Sequence, residues 1–209
     1  KGVQNENVVA TVKHFAANNQ EHQRDFVNTI VDERTLNEIY FPAFKAAVEE
    51  ANVLAVMCAY NKINGPYCSE NDYLLIDVLK NKWKFNGLVM SDWGAVHTSL
   101  PVFNSGLDLE MPDGKYLNTA SLLENIQSGE LRETKLDDKV RRILRVMFTI
   151  GLFDPDFDRD KYDSTMVNTE EHKKIALNIA KDGIVLLKNE NSILPLDLNK
   201  IKSIAVVGP

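Results

Sequence analysis

Leu88-Val89-Met90-Ser91-Asp92-Trp93-Gly94 combines a short apolar strand with a carboxylate at its carboxyl end. The turn pair Asn86-Gly87 opens the strand, and Gly94 lets the chain leave it. A carboxylate at such a junction is rigidly held and partly desolvated, as an anionic nucleophile should be. The plainer alternative is an aspartate capping the helix that follows. Working outward from this stretch, the same unit recurs. Residues 53–60 are apolar enough for a strand buried on both faces and end on Tyr60. Residues 8–12 form another candidate strand, with the polar Lys13, His14, Asn18, Asn19, Gln20 and Glu21 after it. A shorter fourth unit covers residues 107–112.

Helical patterns fill the intervals. Asp32 is a candidate N-cap, with Thr35 to Tyr40 in the helix body, Pro42 ending or kinking it, and residues 43–51 continuing. Asn71 or Asp72 can cap a helix that carries Leu74, Leu75, Val78 and Leu79 at helical spacing and ends near Trp83. Residues 121–128, stopped by Gly129, and residues 134–150 follow; Leu136, Val140, Ile143, Leu144, Met147 and Phe148 share one stripe of the latter. From Gly151 the chain turns acidic and rich in Asp and Pro as far as residue 163, which reads as a linker. A helix at 169–182, an apolar run at 184–187 and a last strand at 203–207 complete the pattern.

Strands alternating with helices, with polar residues at the strand ends, indicate a parallel α/β architecture whose ligands bind at the carboxyl ends of the strands. A closed eight-stranded barrel takes about 250 residues. Four units in the first 150 therefore fit either half a barrel or a small open sheet.

Composition removes several classes. The chain has 209 residues, 44% of them hydrophobic, and a net charge of −6 from 24 basic and 30 acidic side chains. Its basic residues are scattered apart from Arg141, Arg142 and Arg145, so neither nucleic acid nor a membrane surface is an expected partner. No apolar run approaches the roughly 20 residues of a membrane span. Residues 1–7 lack the pattern of a signal peptide and of a natural start, so an internal fragment is expected; a cytoplasmic location is favoured, with secretion or the periplasm left open. His14, His22, His97 and His172 show no ligand spacing, and no dinucleotide, phosphate-loop or serine-hydrolase motif is present; neither metal nor cofactor is expected. Cys58 and Cys68 flank a turn that a disulfide can close, although Cys58 inside an apolar run reads better as a small buried hydrophobe.

If the strand ends converge, Lys13, His14, Tyr60, Asp92, Trp93 and Glu110 line one pocket. Charged groups that bind hydroxyls, together with rings that cover apolar faces, suit a neutral polyhydroxylated ligand. The bland alternative is a set of unrelated polar residues. A second chemistry, Schiff-base formation at Lys13 as in class I aldolases, also fits a barrel strand end.

The motifs extend well beyond Asp92. They comprise Lys13-His14-Phe15 with Asn18-Asn19-Gln20-Glu21 and Arg24, residues 33–44, Val56-Met57-Cys58-Ala59-Tyr60 running on to Gly65, and residues 88–95. Residues 106–112, 183–189 with Leu194-Pro195-Leu196, and 204–209 continue the series. In this order they resemble the glycoside hydrolase family 3 β-glucosidases over nearly the whole chain.

That resemblance implies an α/β fold: the C-terminal half of a TIM-like (β/α)8 barrel in residues 1–150, a linker in 151–168, and the start of an α/β sandwich domain with its first strand in 169–209. It implies a retaining β-glycosidase acting on terminal β-D-glucosyl residues by double displacement, with Asp92 as nucleophile. Lys13 and His14 would bind hydroxyls of the cleaved sugar, Arg24 and Tyr60 would line the same subsite, Trp93 would stand beside the nucleophile, and Met57 would join the substrate-binding set. The N-acetylglucosaminidase branch draws its acid from a histidine in the loop after Lys-His-Phe; Ala16-Ala17-Asn18-Asn19-Gln20-Glu21 lacks one, so that branch is disfavoured. In the glucosidase branch the acid/base glutamate follows the last motif and lies outside this chain, so the fragment alone is expected to be inactive. Glu21 and Glu110 match no acid position and read as structural. The implied partners are a β-glucoside or oligosaccharide and, for stability, the rest of the polypeptide or another copy of the chain. Xylosidase or arabinosidase specificity and a non-catalytic sugar-binding module are the alternatives.

Overall fold

The computed structural model describes residues 1–157 and 164–208, and the chain divides into two compact units, Lys1–Phe157 and Asp158–Pro209. The strands are β1 (Thr11–Phe15), β2 (Asn28–Thr29), β3 (Ala55–Cys58), β4 (Lys62–Ile63) and β5 (Leu88–Met90). β1, β3 and β5 form a parallel sheet in the order β1-β3-β5, with Thr11 opposite Ala55 and Ala55 opposite Leu88. Ala55, Val56, Cys58 and Val89 are all buried, as befits a parallel sheet covered on both faces.

β1 starts later than its valines suggest and takes in Lys13 and His14. The residue opposite its first position, Ala55, is the first of β3, so residues 8 and 9 have no strand to pair with. The unforeseen β2–β4 pair is parallel, joined by the Lys62 N–H to the Val27 carbonyl and the Asn64 N–H to the Thr29 carbonyl, and braced by side chains: Asn64 bonds both polar groups of the Val31 backbone, at 3.0 and 2.8 Å, and Asn28 accepts from the Gly65 N–H.

The fourth unit is not a strand. It touches the sheet through a single bridge between Met90 and Leu109, and the Val89 N–H that a neighbouring strand would bind is taken by the Asp108 carboxylate at 2.8 Å.

Helix α1 (Glu33–Thr35) is capped by Asp32, whose carboxylate accepts from the Thr35 N–H at 2.9 Å and from its hydroxyl at 2.7 Å. The chain runs on through a π-turn, Leu36–Tyr40, into α2 (Pro42–Glu49). Pro42 has no N–H to donate and sits where a new helix can accept it, in the first turn. The crossover helix α3 (Tyr73–Lys82) is also wide-turned, and its cap is Asn71, whose side chain accepts from the Leu74 N–H at 3.1 Å. α4 (Leu100–Asn104), α5 (Thr119–Gln127) and α6 (Glu133–Thr149) complete the first unit.

The core lies between the sheet and α1–α3. Phe15, Phe41 and Trp83 meet there with ring centroids 5.4–5.7 Å apart, each pair contributing roughly 0.5–1.5 kcal/mol beyond its buried area. Cys58 and Cys68 are free and fully buried, so the bridge does not form; burial pushes both thiols up, Cys68 to about 12. The stripe expected to bury α6 is largely exposed at Leu136, Val140, Leu144 and Phe148, while Val146 and Lys139 are buried. The contacts of α6 with the sheet fall at one edge of that stripe, where Val146 packs with Ala55 and Leu88 and half-buried Ile143, a stripe residue, joins them.

In the second unit, α7 (Glu170–Asp182) is capped by the Thr169 hydroxyl. The strand expected at 203–207 is absent, and Ile204, Val206 and Val207 are exposed. A β-strand needs a partner's backbone, and no described residue supplies one there. Part of the expected linker, residues 158–163, lies outside the described residues.

Candidate active site

Because β1, β3 and β5 run parallel, their carboxyl ends share one edge of the sheet. His14 lies near the end of β1, Tyr60 just past β3, and Asp92 just past β5. These ends meet. The His14 Nε2 is 3.1 Å from the Asp92 Oδ2. The other carboxylate oxygen, Oδ1, accepts the Trp93 N–H at 2.8 Å, and the Asp92 carbonyl accepts from the Ala95 N–H. Asp92 is 8% exposed and caps no helix, since α4 begins only at Leu100. Two donors thus fix a nearly buried carboxylate whose lone pairs point at the strand-end space, the arrangement a carboxylate nucleophile needs.

Tyr60 ties two of these ends together. Its hydroxyl donates to the Trp93 carbonyl at 2.9 Å, and the Arg24 guanidinium lies 4.2 Å from its ring centroid. Burial pushes the Tyr60 phenol up, and the neighbouring Asp92 charge pushes it the same way. Glu21 holds Arg24 at 2.6 Å. Trp93, 62% exposed, presents an indole surface beside the carboxylate, able to cover the apolar face of a sugar ring. The structure thereby brings together His14, Arg24, Tyr60, Asp92 and Trp93. Lys13 is exposed on β1 and Met57 is half-buried on β3, opposite Met90; no recorded contact joins either to the carboxylate. The Lys13–His14 and Phe15–Ala16 peptide bonds are cis.

Glu110 belongs to the scaffold. It is buried, and its Oε2 accepts the Tyr116 and Leu117 N–H groups at 2.9 and 2.7 Å, which secures the loop after the fourth unit. Three further residues escape a pattern-based search. Asn61 is fully buried and its amide spans the Ala16, Ala17 and Lys62 carbonyls, pinning the loop after β1 to the end of β3. Ser91 accepts the Met111 N–H at 2.9 Å. Asp108 receives both the Val89 N–H and the Lys80 ammonium. The one sequence signal for these is a polar residue beside an apolar strand. Among the described residues, no three His, Cys, Asp or Glu side chains gather as metal ligands, and no helix is long and apolar enough to cross a membrane.

Residues 1–146 match the family model described as the glycosyl hydrolase family 3 N terminal domain. The chain belongs to glycosyl hydrolase family 3. Across its full length it is 49% identical to thermostable beta-glucosidase B of Acetivibrio thermocellus, covering 26% of that protein, and 40% identical to beta-glucosidase B of Emericella nidulans, covering 25%. The crystal structure of a Kluyveromyces marxianus beta-glucosidase in complex with glucose superposes with a TM-score of 0.85 at 41% identity, over 94% of this chain and 24% of that one. The beta-glucosidase 3B of Thermotoga neapolitana in complex with alpha-D-glucose gives 0.82 at 41% identity, over 94% and 28%. This family 3 chain thus spans about a quarter of the length of the relatives it matches.

Proposed function

We propose that the polypeptide containing this chain is a retaining β-glucosidase and that Asp92 is its nucleophile. The observation that carries the reading is the nearly buried Asp92 carboxylate at the strand ends, with His14 on one oxygen and the Trp93 N–H on the other. The relatives named beta-glucosidase, two of them holding glucose in their crystals, support the substrate class.

In the first step an Asp92 oxygen bonds to the anomeric carbon as the glycosidic C–O bond breaks, and an acid gives its proton to the departing oxygen. In the second, water attacks the same carbon, the conjugate base of that acid takes the water's proton, and the Asp92 ester bond breaks. Glu21 is engaged with Arg24 and Glu110 with two backbone N–H groups, so the acid/base is assigned to a glutamate outside this chain. Lys13, His14, Arg24, Tyr60, Met57 and Trp93 form this chain's share of the sugar subsite. Residues 1–150 are read as the second half of a (β/α)8 barrel, 151–168 as linker and 169–209 as the start of a sandwich domain. The isolated fragment should therefore hydrolyse glucosides negligibly.

A 2-deoxy-2-fluoroglucoside with a good leaving group tests the assignment on the full-length protein. The expected result is a stable adduct on the peptide bearing Asp92 and a loss of at least about 10³-fold in kcat for Asp92→Ala. An adduct on another residue overturns it.

A further inference from the structure

Asp108 is buried beside β5 and binds directly the strand that carries Asp92. Its Oδ2 accepts the Val89 N–H at 2.8 Å, and its own N–H donates to the Val89 carbonyl at 2.8 Å. Asp108 thus binds both polar groups of the central residue of β5, and the Leu109 N–H shares the Val89 carbonyl at 3.1 Å. Its other carboxylate oxygen takes the Lys80 ammonium of α3 at 2.7 Å, with the Asp108 side chain fully buried and that of Lys80 nearly so. Lys139 of α6 donates to the Ser105 and Leu107 carbonyls, both just before Asp108 in the chain. Either side of Asp92 the same segment is fastened again: before it the Ser91 N–H donates to the Leu109 carbonyl and the Ser91 hydroxyl accepts from the Met111 N–H, and after it the Gly94 N–H donates to the Met111 carbonyl. Asp92 therefore rides on a backbone clamped on both sides, and the lower clamp is an ion pair.

Resting on the reading of Asp92 as nucleophile, we propose that Asp108, held by Lys80, is a positioning residue that fixes the Asp92 carboxylate for attack. Of the groups proposed to grip the sugar, Lys13, His14 and Arg24 come from β1 and the loop after it and Met57 and Tyr60 from β3 and its end, and only Trp93 follows β5. Disturbing Asp108 should then slow the chemical step and leave the grip on the sugar intact. A misplacement of about 1 Å is enough to cost on the order of 10²-fold.

The test is the double variant Lys80→Met/Asp108→Leu in the full-length protein. Replacing a buried ion pair by apolar groups of similar size is often neutral for stability, yet it leaves the Val89 N–H without an acceptor. Expected are a folded protein whose unfolding midpoint lies moderately below the parent's because the Val89 N–H is left unpaired, a kcat on aryl β-glucosides reduced about 100-fold, and a glucose inhibition constant within threefold of the parent. A folded double variant with parental kcat, or one in which kcat and glucose binding fall together, overturns the proposal. Should the double variant not fold, Asp108→Asn, which keeps the shape and one oxygen for Val89, is read instead: a kcat reduced about tenfold at unchanged glucose inhibition supports the role, and parental kcat overturns it. Failure of the nucleophile assignment is told apart from failure of this proposal by Asp92→Ala, which retains activity only in the former case.

Discussion

The His14 imidazole nitrogen lies 3.1 Å from the Asp92 carboxylate, joining the two outer strands of the sheet across β3 at the end where the ligand must enter. A hydrogen bond to a charged partner is worth about 1.5–3 kcal/mol, more than a neutral one. Beyond its proposed contact with the sugar, His14 therefore orients the Asp92 oxygen that faces it. His14→Ala should lower kcat/KM for an aryl β-glucoside by roughly 10- to 150-fold, the same energy expressed as a rate. Initial-rate kinetics on the full-length protein check this. A variant within twofold of the parent would show that the contact orients nothing.

Tyr60 offers a separable pair of effects. Its ring supports Arg24 and its hydroxyl holds the Trp93 carbonyl. Tyr60→Phe keeps the first and removes the second, a net loss of about 1 kcal/mol, so KM should rise about fivefold as the Trp93 backbone loosens. Tyr60→Ala removes both and should exceed it, since a cation over a partly desolvated ring adds about 0.5–2 kcal/mol. Equal KM values for the two variants would assign the whole effect to the hydroxyl.

Lys139 predicts an unusual pH dependence of stability. Burial lowers its ammonium to about 8 from an ordinary 10.5, only partly offset by Asp108. Between about pH 8 and 10.5 the unfolded chain then binds more protons than the folded one, so this group's contribution rises with pH through that window and is lost as pH falls through 8. The span amounts to about 3 kcal/mol. Denaturant midpoints followed by tryptophan fluorescence should rise, or fall less than expected, from pH 8 to 10, and Lys139→Met should reduce that slope, the remainder coming from Lys80, whose ammonium burial also lowers. A slope unchanged in the variant would place the titration elsewhere.

Continuous apolar runs bounded by turns made β3 and β5 legible, because a strand covered on both faces leaves a signal in every residue. The same rule drew attention to Asp92, the carboxylate two residues past the end of such a run and two before a glycine. Residues 107–112 alternate in the way a strand does, but pairing depends on which group reaches the Val89 N–H, and a side chain two residues past Gly106 reaches it first. β2 and β4, two residues each, pair through two backbone bonds braced by the Asn28 and Asn64 side chains, and periodicity records neither so short a pairing nor such long-range side-chain bonds. Residues 203–207 have strand composition without a described neighbour, which shows composition stating a capacity that only a partner strand realises.

Two glycines on the Asp92 strand separate packing from backbone strain. A Cβ on Gly87 would meet the Leu54 carbonyl and the Phe85 ring well inside contact distance, and that same carbonyl accepts the Leu88 N–H at 3.0 Å. Gly87→Ala therefore pushes β5 from β3 at the very start of their pairing, and overpacking of this kind costs typically 1–3 kcal/mol. Gly94 has open space around it and φ of +76°, so Gly94→Ala meets no atom and carries only the left-handed penalty of roughly 1–2 kcal/mol. Both variants should lower the unfolding midpoint of the full-length protein, but relaxation differs: Gly87→Ala abuts backbone and recovers when Phe85 is also trimmed only in part, whereas Phe85→Leu should do nothing for Gly94→Ala. Double-mutant cycles of each glycine with Phe85 read this directly, with a favourable coupling expected for Gly87 and none for Gly94.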